Sequence, residues 1–105
     1  MQHDVASQIR TGLRNRIEAI AAQRGTISLP RICEQIDLIR HDAKACGLAP
    51  VERLASMLET ALARHGIGPV VLSYLDLMRD ACDCDDCSED ASAAWLAALS
   101  LRVGH

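Results

Sequence analysis

The sequence contains no phenylalanine, and its aromatic residues are one tyrosine, Tyr74, and one tryptophan, Trp95, in 105 positions. A platform for single-stranded nucleic acid stacks bases on several rings, so that function loses its main physical device. A net charge of −3 also lacks the clustered basic face that a phosphate backbone demands. No nucleic-acid partner is expected. No apolar run comes near the ~20 residues of a membrane span, and no basic stretch followed by an apolar one opens the chain. The expectation is a cytoplasmic protein with no membrane partner. Signatures of catalysis are missing as well. Gly66-x-Gly68 runs into Pro69 rather than into the Lys-Ser/Thr of a phosphate loop, and neither a His-Glu-x-x-His nor a Gly-x-Ser-x-Gly motif occurs. A non-catalytic protein without a cofactor is expected.

What is present reads as globular. Half the residues are hydrophobic and 24% are charged, at a length typical of one domain. The charge is uneven. Residues 1–31 carry five arginines against Asp4 and Glu18, whereas residues 76–90 carry seven acids against Arg79. Such asymmetry can join two parts of one fold, join two subunits, meet a charged partner, or lie solvated on separate faces.

Glycine and proline divide the chain into five segments with helical periodicity, expected near 4–23, 29–46, 50–65, 69–82 and 89–102. In the first, Val5, Ile9, Leu13, Ile17 and Ile20 share a stripe. The second is the most regular. Leu29, Ile32, Ile36, Ile39, Ala43 and Cys46 alternate steps of three and four, the seam of a helix packed in a bundle. Ser28 suits its N-cap, Pro30 its first turn and Gly47 its C′ position. Val51, Leu54, Leu58, Ala61, Leu62 and His65 line the third segment. The fourth is apolar around most of its circumference, with Ser73, Asp76 and Asp80 as its narrow polar strip. Ser88 suits the cap of the fifth, whose apolar face is Trp95, Leu96, Leu99 and Val103. No window alternates as a strand would. These patterns predict an all-α, single-domain bundle of about five helices with an up-down, antiparallel core. A helix as apolar as 69–82 also predicts a homodimer built on it, with Leu77 at the interface, the other reading being a monomer in which the first helix covers that face.

Two local groups of residues bear on function. At 100° per residue, His41 lies about 170° from the apolar seam of its helix, and so is expected to face water. Lys44, the one lysine of the chain, follows a turn later. The stretch Arg40-His41-Asp42-Ala43-Lys44-Ala45, followed by Leu58-Glu59 on the next helix, resembles the core of histidine-containing phosphotransfer domains. That resemblance implies a bacterial-type cytoplasmic signalling module. His41 would be its phosphoacceptor, Lys44 its charge partner and a response-regulator receiver its protein partner. The chemistry suits these residue types, because a neutral imidazole nitrogen attacks phosphorus and a nearby cation balances the charge received. Asp37 and Asp42 flank the histidine, and an exposed histidine in an Asp/Lys surface network is the other reading.

The second group is Cys82-Asp83-Cys84-Asp85-Asp86-Cys87. Cys-x-x-Cys is a chelating spacing. Cys82, Cys84 and Cys87 are therefore candidate zinc ligands in an alternative metal-binding or redox module. Zinc's usual fourth ligand would have to be an aspartate, His105 or a residue of another subunit. An acidic turn with incidental thiols is the competing reading. Five cysteines cannot all pair within one chain, and Cys46 reads as a small core residue.

Overall fold

The computed structural model describes residues 5–23, 25–84 and 88–103, without the side chains of Ala6 and Val103. Asp4, expected at the start of the first helix, lies outside them. Five helices account for most of the described residues: α1 (Val5–Gln23), α2 (Leu29–Ala45), α3 (Ala49–His65), α4 (Val70–Ala81) and α5 (Glu89–Val103). The fold is an all-α bundle. No helix among the described residues is long and apolar enough to cross a membrane.

Local chemistry sets the helix ends. The Ser28 side chain accepts a hydrogen bond from the Arg31 amide at the head of α2, and Ser88 does the same for Ala91 before α5. The other end of α2 closes in a double turn. The Gly47 amide donates to the Lys44 carbonyl and the Leu48 amide to the Ala43 carbonyl. The φ of +73° at Gly47 is accessible without a steric penalty because glycine lacks a Cβ. This turn folds Leu48 back onto Ala43, and both are buried. Cys46, expected in the core, is exposed instead, because the helix has already begun to unwind where its phase would have pointed inward. Leu29, at the other end of the expected seam, is 38% exposed.

Between those ends the periodicity holds. Ile32, Ile36, Ile39 and Ala43 are fully buried, as are Val51, Leu54, Ala55 and Leu58 of α3. The contact between α2 and α3 is the most extensive in the molecule, and α4 then packs on α3. The first helix crosses to α4 and touches α2 only lightly, so α1–α4 form a ring around the core while α5 lies on α3 and α4. The ring explains the apolar circumference of α4. Val71, Leu75 and Met78 are buried, and so are Tyr74, Leu77 and Ala81, because α1, α3 and α5 all pack on this helix. Leu77, expected at a two-fold interface, is 2% exposed. Val70 and Leu72 are half-buried, so the apolar surface of α4 is covered within the chain only in part.

The charge asymmetry also closes in part inside the fold. Arg14 of α1 reaches Asp83, just past α4, at 2.8 Å. Arg14 thus ties the basic first third to the start of the acidic connection.

Candidate functional site

His41 stands on the outward side of α2 with its side chain 61% exposed. Its Nδ1 lies 2.8 Å from the carbonyl oxygen of Asp37, one turn back. A carbonyl oxygen can only accept, so Nδ1 carries the proton and donates it. In a neutral ring the lone pair is then on Nε2. The helix backbone thus fixes both the tautomer and the rotamer of this imidazole.

Ion pairs engage the carboxylates on either side. Arg40 binds Asp37 through Nη2 at 2.8 Å and Glu59 of α3 through Nε at 2.7 Å. The Arg40 guanidinium holds the Asp37 carboxyl below its usual range, while partial desolvation opposes that shift. Asp37 and Glu59 together raise the guanidinium above its ordinary value. On the other side Asp42 binds Arg16 of α1 at 2.6 Å. Lys44 is exposed one turn beyond His41. Three cations, Arg16, Arg40 and Lys44, therefore balance three carboxylates, Asp37, Asp42 and Glu59, around the imidazole. The repulsion that Asp37 and Asp42 would offer to an incoming phosphoryl group is compensated at short range.

The Asp37/Arg40 pair has the three-residue spacing of helix neighbours and is legible in sequence. Arg16 and Glu59 are not legible as parts of this site. They come from the helices on either side of α2, and nothing in their own local pattern marks them.

The cysteine group is placed differently. Cys82 is fully buried, and burial, helped by Asp83, pushes its thiol up to about 12. A thiol in that state stays protonated and packs as an apolar core group. Cys84 is half-buried, while Cys87 and His105 lie outside the described residues. Among the described residues no three His, Cys, Asp or Glu side chains gather to hold a metal ion. The donors that are described do not compose a zinc site.

Compared with known proteins, the chain matches no family model, no curated protein and no solved structure.

Proposed function

We propose that this chain is a small cytoplasmic regulatory module of the histidine phosphotransfer type, non-catalytic in its own right, with His41 as phosphoacceptor. The observation that carries the reading is the Nδ1 hydrogen bond to the Asp37 carbonyl. It leaves Nε2 as the nucleophilic nitrogen of an exposed ring whose neighbouring carboxylates are ion-paired. In the transfer, the Nε2 lone pair attacks the phosphorus of a receiver's aspartyl phosphate. The P–O bond to the aspartate breaks, its electrons leave with the carboxylate, and the N–P bond forms. The proton stays on Nδ1 and keeps its hydrogen bond to the Asp37 carbonyl, which stabilises the positive charge the ring acquires. Lys44, with no ion pair among the described residues, is the cation at hand for the phosphoryl oxygens.

The test is incubation with phosphorylated response-regulator receivers, followed by measurement of acid-labile, base-stable label. His41→Gln is expected to abolish the label without lowering the melting temperature, since the side chain supports no core packing. Lys44→Ala is expected to slow labelling while leaving the acceptor in place. A wild-type chain that stays unlabelled by a broad panel of receivers, under conditions where a control acceptor is labelled, sinks the proposal.

A further inference from the structure

We infer that two copies of this chain associate weakly about a two-fold axis, the outward face of α5 in one copy seating in the α3/α4 groove of the other. The inference is independent of His41, which lies on α2. The groove, about 620 Å³, is lined by Met57 and Ala61 of α3 and by Val70 and Tyr74 of α4, with Arg64 and His65 at the α3 C-terminus. Met57 is 40% exposed although apolar. The described lining carries no carboxylate. Arg14, Arg16, Arg31, Arg40 and Arg79 are each ion-paired, whereas Arg64 has no carboxylate partner among the described residues. The groove therefore suits an occupant that is apolar along its length and acidic at one end.

Helix α5 has that chemistry on its outer side. Asp90, Ala93, Ala97 and Leu101 are all exposed and recur every three or four residues, so they share one face. Leu101 is 85% exposed, and Glu89 adds a second carboxylate to the same end. The inner side, with Ser92 and Leu99, is buried. No described helix covers the outer one.

Symmetry makes the two features match. Helix α5 packs on both α3 and α4, the two helices that line the groove. The proposed contact requires α5, joined to α4 by residues 82–88, to run in the direction of α3. A two-fold axis across the helices reverses the partner's α5. Its acidic N-terminal end is thereby brought to the C-terminal end of α3, where Arg64 and His65 stand. The contact then occurs twice, as an isologous interface requires. A fifteen-residue helix is about 22 Å long and presents a strip about 10 Å wide. Two such strips and grooves fall short of the ~800 Å² per partner of a standard interface. The dimer is accordingly weak, with a Kd of about 10–100 μM.

Sedimentation equilibrium of the full chain from about 5 to 500 μM spans that range on both sides of half-association. The expected result is a rise from 11.4 kDa toward twice that mass. Leu101→Glu, at a side chain too exposed to affect folding, is expected to weaken association at least about tenfold. Arg64→Glu is expected to weaken it too, and Arg64→Glu with Asp90→Arg to restore it to within about threefold of wild type. Circular dichroism of each variant separates dissociation from unfolding. A single 11.4 kDa species at every concentration overturns the inference and leaves the groove to an acidic amphipathic helix of another protein. A dimer that Leu101→Glu leaves intact overturns the assignment of α5.

Discussion

Helix α2 meets its two neighbours in different ways. Toward the core it shares with α3 it buries Ile32, Ile36, Ile39 and Ala43 completely, and the part-buried Arg40–Glu59 pair ties the two helices at 2.7 Å. Toward α1 it leaves two cavities. One, about 320 Å³, is lined by Ile9, Gly12 and Leu13 opposite Asp42, Ala45 and Cys46. The other, about 130 Å³, lies between Ala19, Ile20 and Gln23 of α1 and Arg31 and Gln35 of α2. Arg16 lines both cavities, and its 2.6 Å bond to Asp42 spans the seam at the exposed surface. A continuous apolar seam closes on itself because each buried residue excludes water for the next. Toward α1 the core still buries Leu13, Ile17 and Ile20, but the outer rim rests on the exposed Arg16–Asp42 pair, which excludes little water. The site follows from this contrast, because His41 sits where the closed side of α2 supplies Arg40–Glu59 and the open side supplies Arg16.

Seven substitutions, three pairs and one alone, sharpen the comparison or break it. The largest effect is expected at the closed seam. Ile36→Ala should cost about 2–5 kcal/mol in urea unfolding, whereas Ile9→Ala, at the rim of the open cavity, should cost less than about 1 kcal/mol. Equal costs would show that the cavities are closed in solution.

The cysteines give the next contrast. Cys82→Ser leaves a buried hydroxyl in an apolar surrounding and should cost about 1–3 kcal/mol. Cys46→Ser, on the exposed rim, should stay within about 0.5 kcal/mol of wild type. In the native chain an alkylating reagent should modify Cys46 quickly and Cys82 only on unfolding, read by peptide mass. The pH dependence has a definite sign. The Cys82 thiol loses its proton near pH 8.5–9 in the unfolded chain but at about 12 when folded. Its contribution to stability is therefore whole below about pH 8.5 and declines as pH rises toward 12. Rapid native labelling of Cys82 would show that α4 is not held in the core as described.

A smaller loss is expected for Arg40→Ala, and a smaller one again for Arg16→Ala. Arg40 bridges two carboxylates in a half-buried position, and Arg16 binds one at the surface. Because Arg40 depresses the Asp37 carboxyl, the stabilisation from that pair is present above the unfolded carboxylate value near pH 4 and is lost as pH falls through the lower folded value. The gap between wild type and Arg40→Ala in urea midpoint should thus narrow from pH 7 to pH 3. A gap that widens would contradict the ion-pair account.

The smallest effect carries the opposite sign. Gly12 lies mid-helix in α1, and a Cβ built there meets nothing within 4 Å. Gly12→Ala should raise stability by up to about 1 kcal/mol through helix propensity. A decrease would mean that α1 approaches α2 more closely in solution than the cavity allows.

The five helices and the interior of the α2 seam were legible in sequence because both depend on local chemistry. A three-and-four spacing puts Ile32, Ile36, Ile39 and Ala43 on one side whatever lies opposite, and a serine or glycine at a terminus satisfies backbone groups a few residues away. The ends of that seam were not legible. Leu29 and Cys46 keep the period but overrun the neighbours that would cover them, and Leu48, off the helix, takes the place expected for Cys46. The exposure of His41 follows from its phase on α2, and its neighbour Arg40 from helical spacing to Asp37. The roles of Glu59 and Arg16 do not follow in this way. They depend on which helices flank α2, and Glu59 is 19 positions from Arg40 while Arg16 is 26 from Asp42.

The sequence by itself determined an all-α chain, its helix boundaries to within a residue or two, and the outward direction of His41. Each of these rests on interactions spanning at most about four residues. Only the tertiary structure decided that α1 would cross to α4 and that Leu77 would be buried within the chain. It also decided that Cys82 would be buried, and that arginines from two helices would balance the carboxylates around His41. Such outcomes depend on which surfaces meet after the chain has folded back on itself, and the periodicity of one helix records that it has a buried side without recording what buries it.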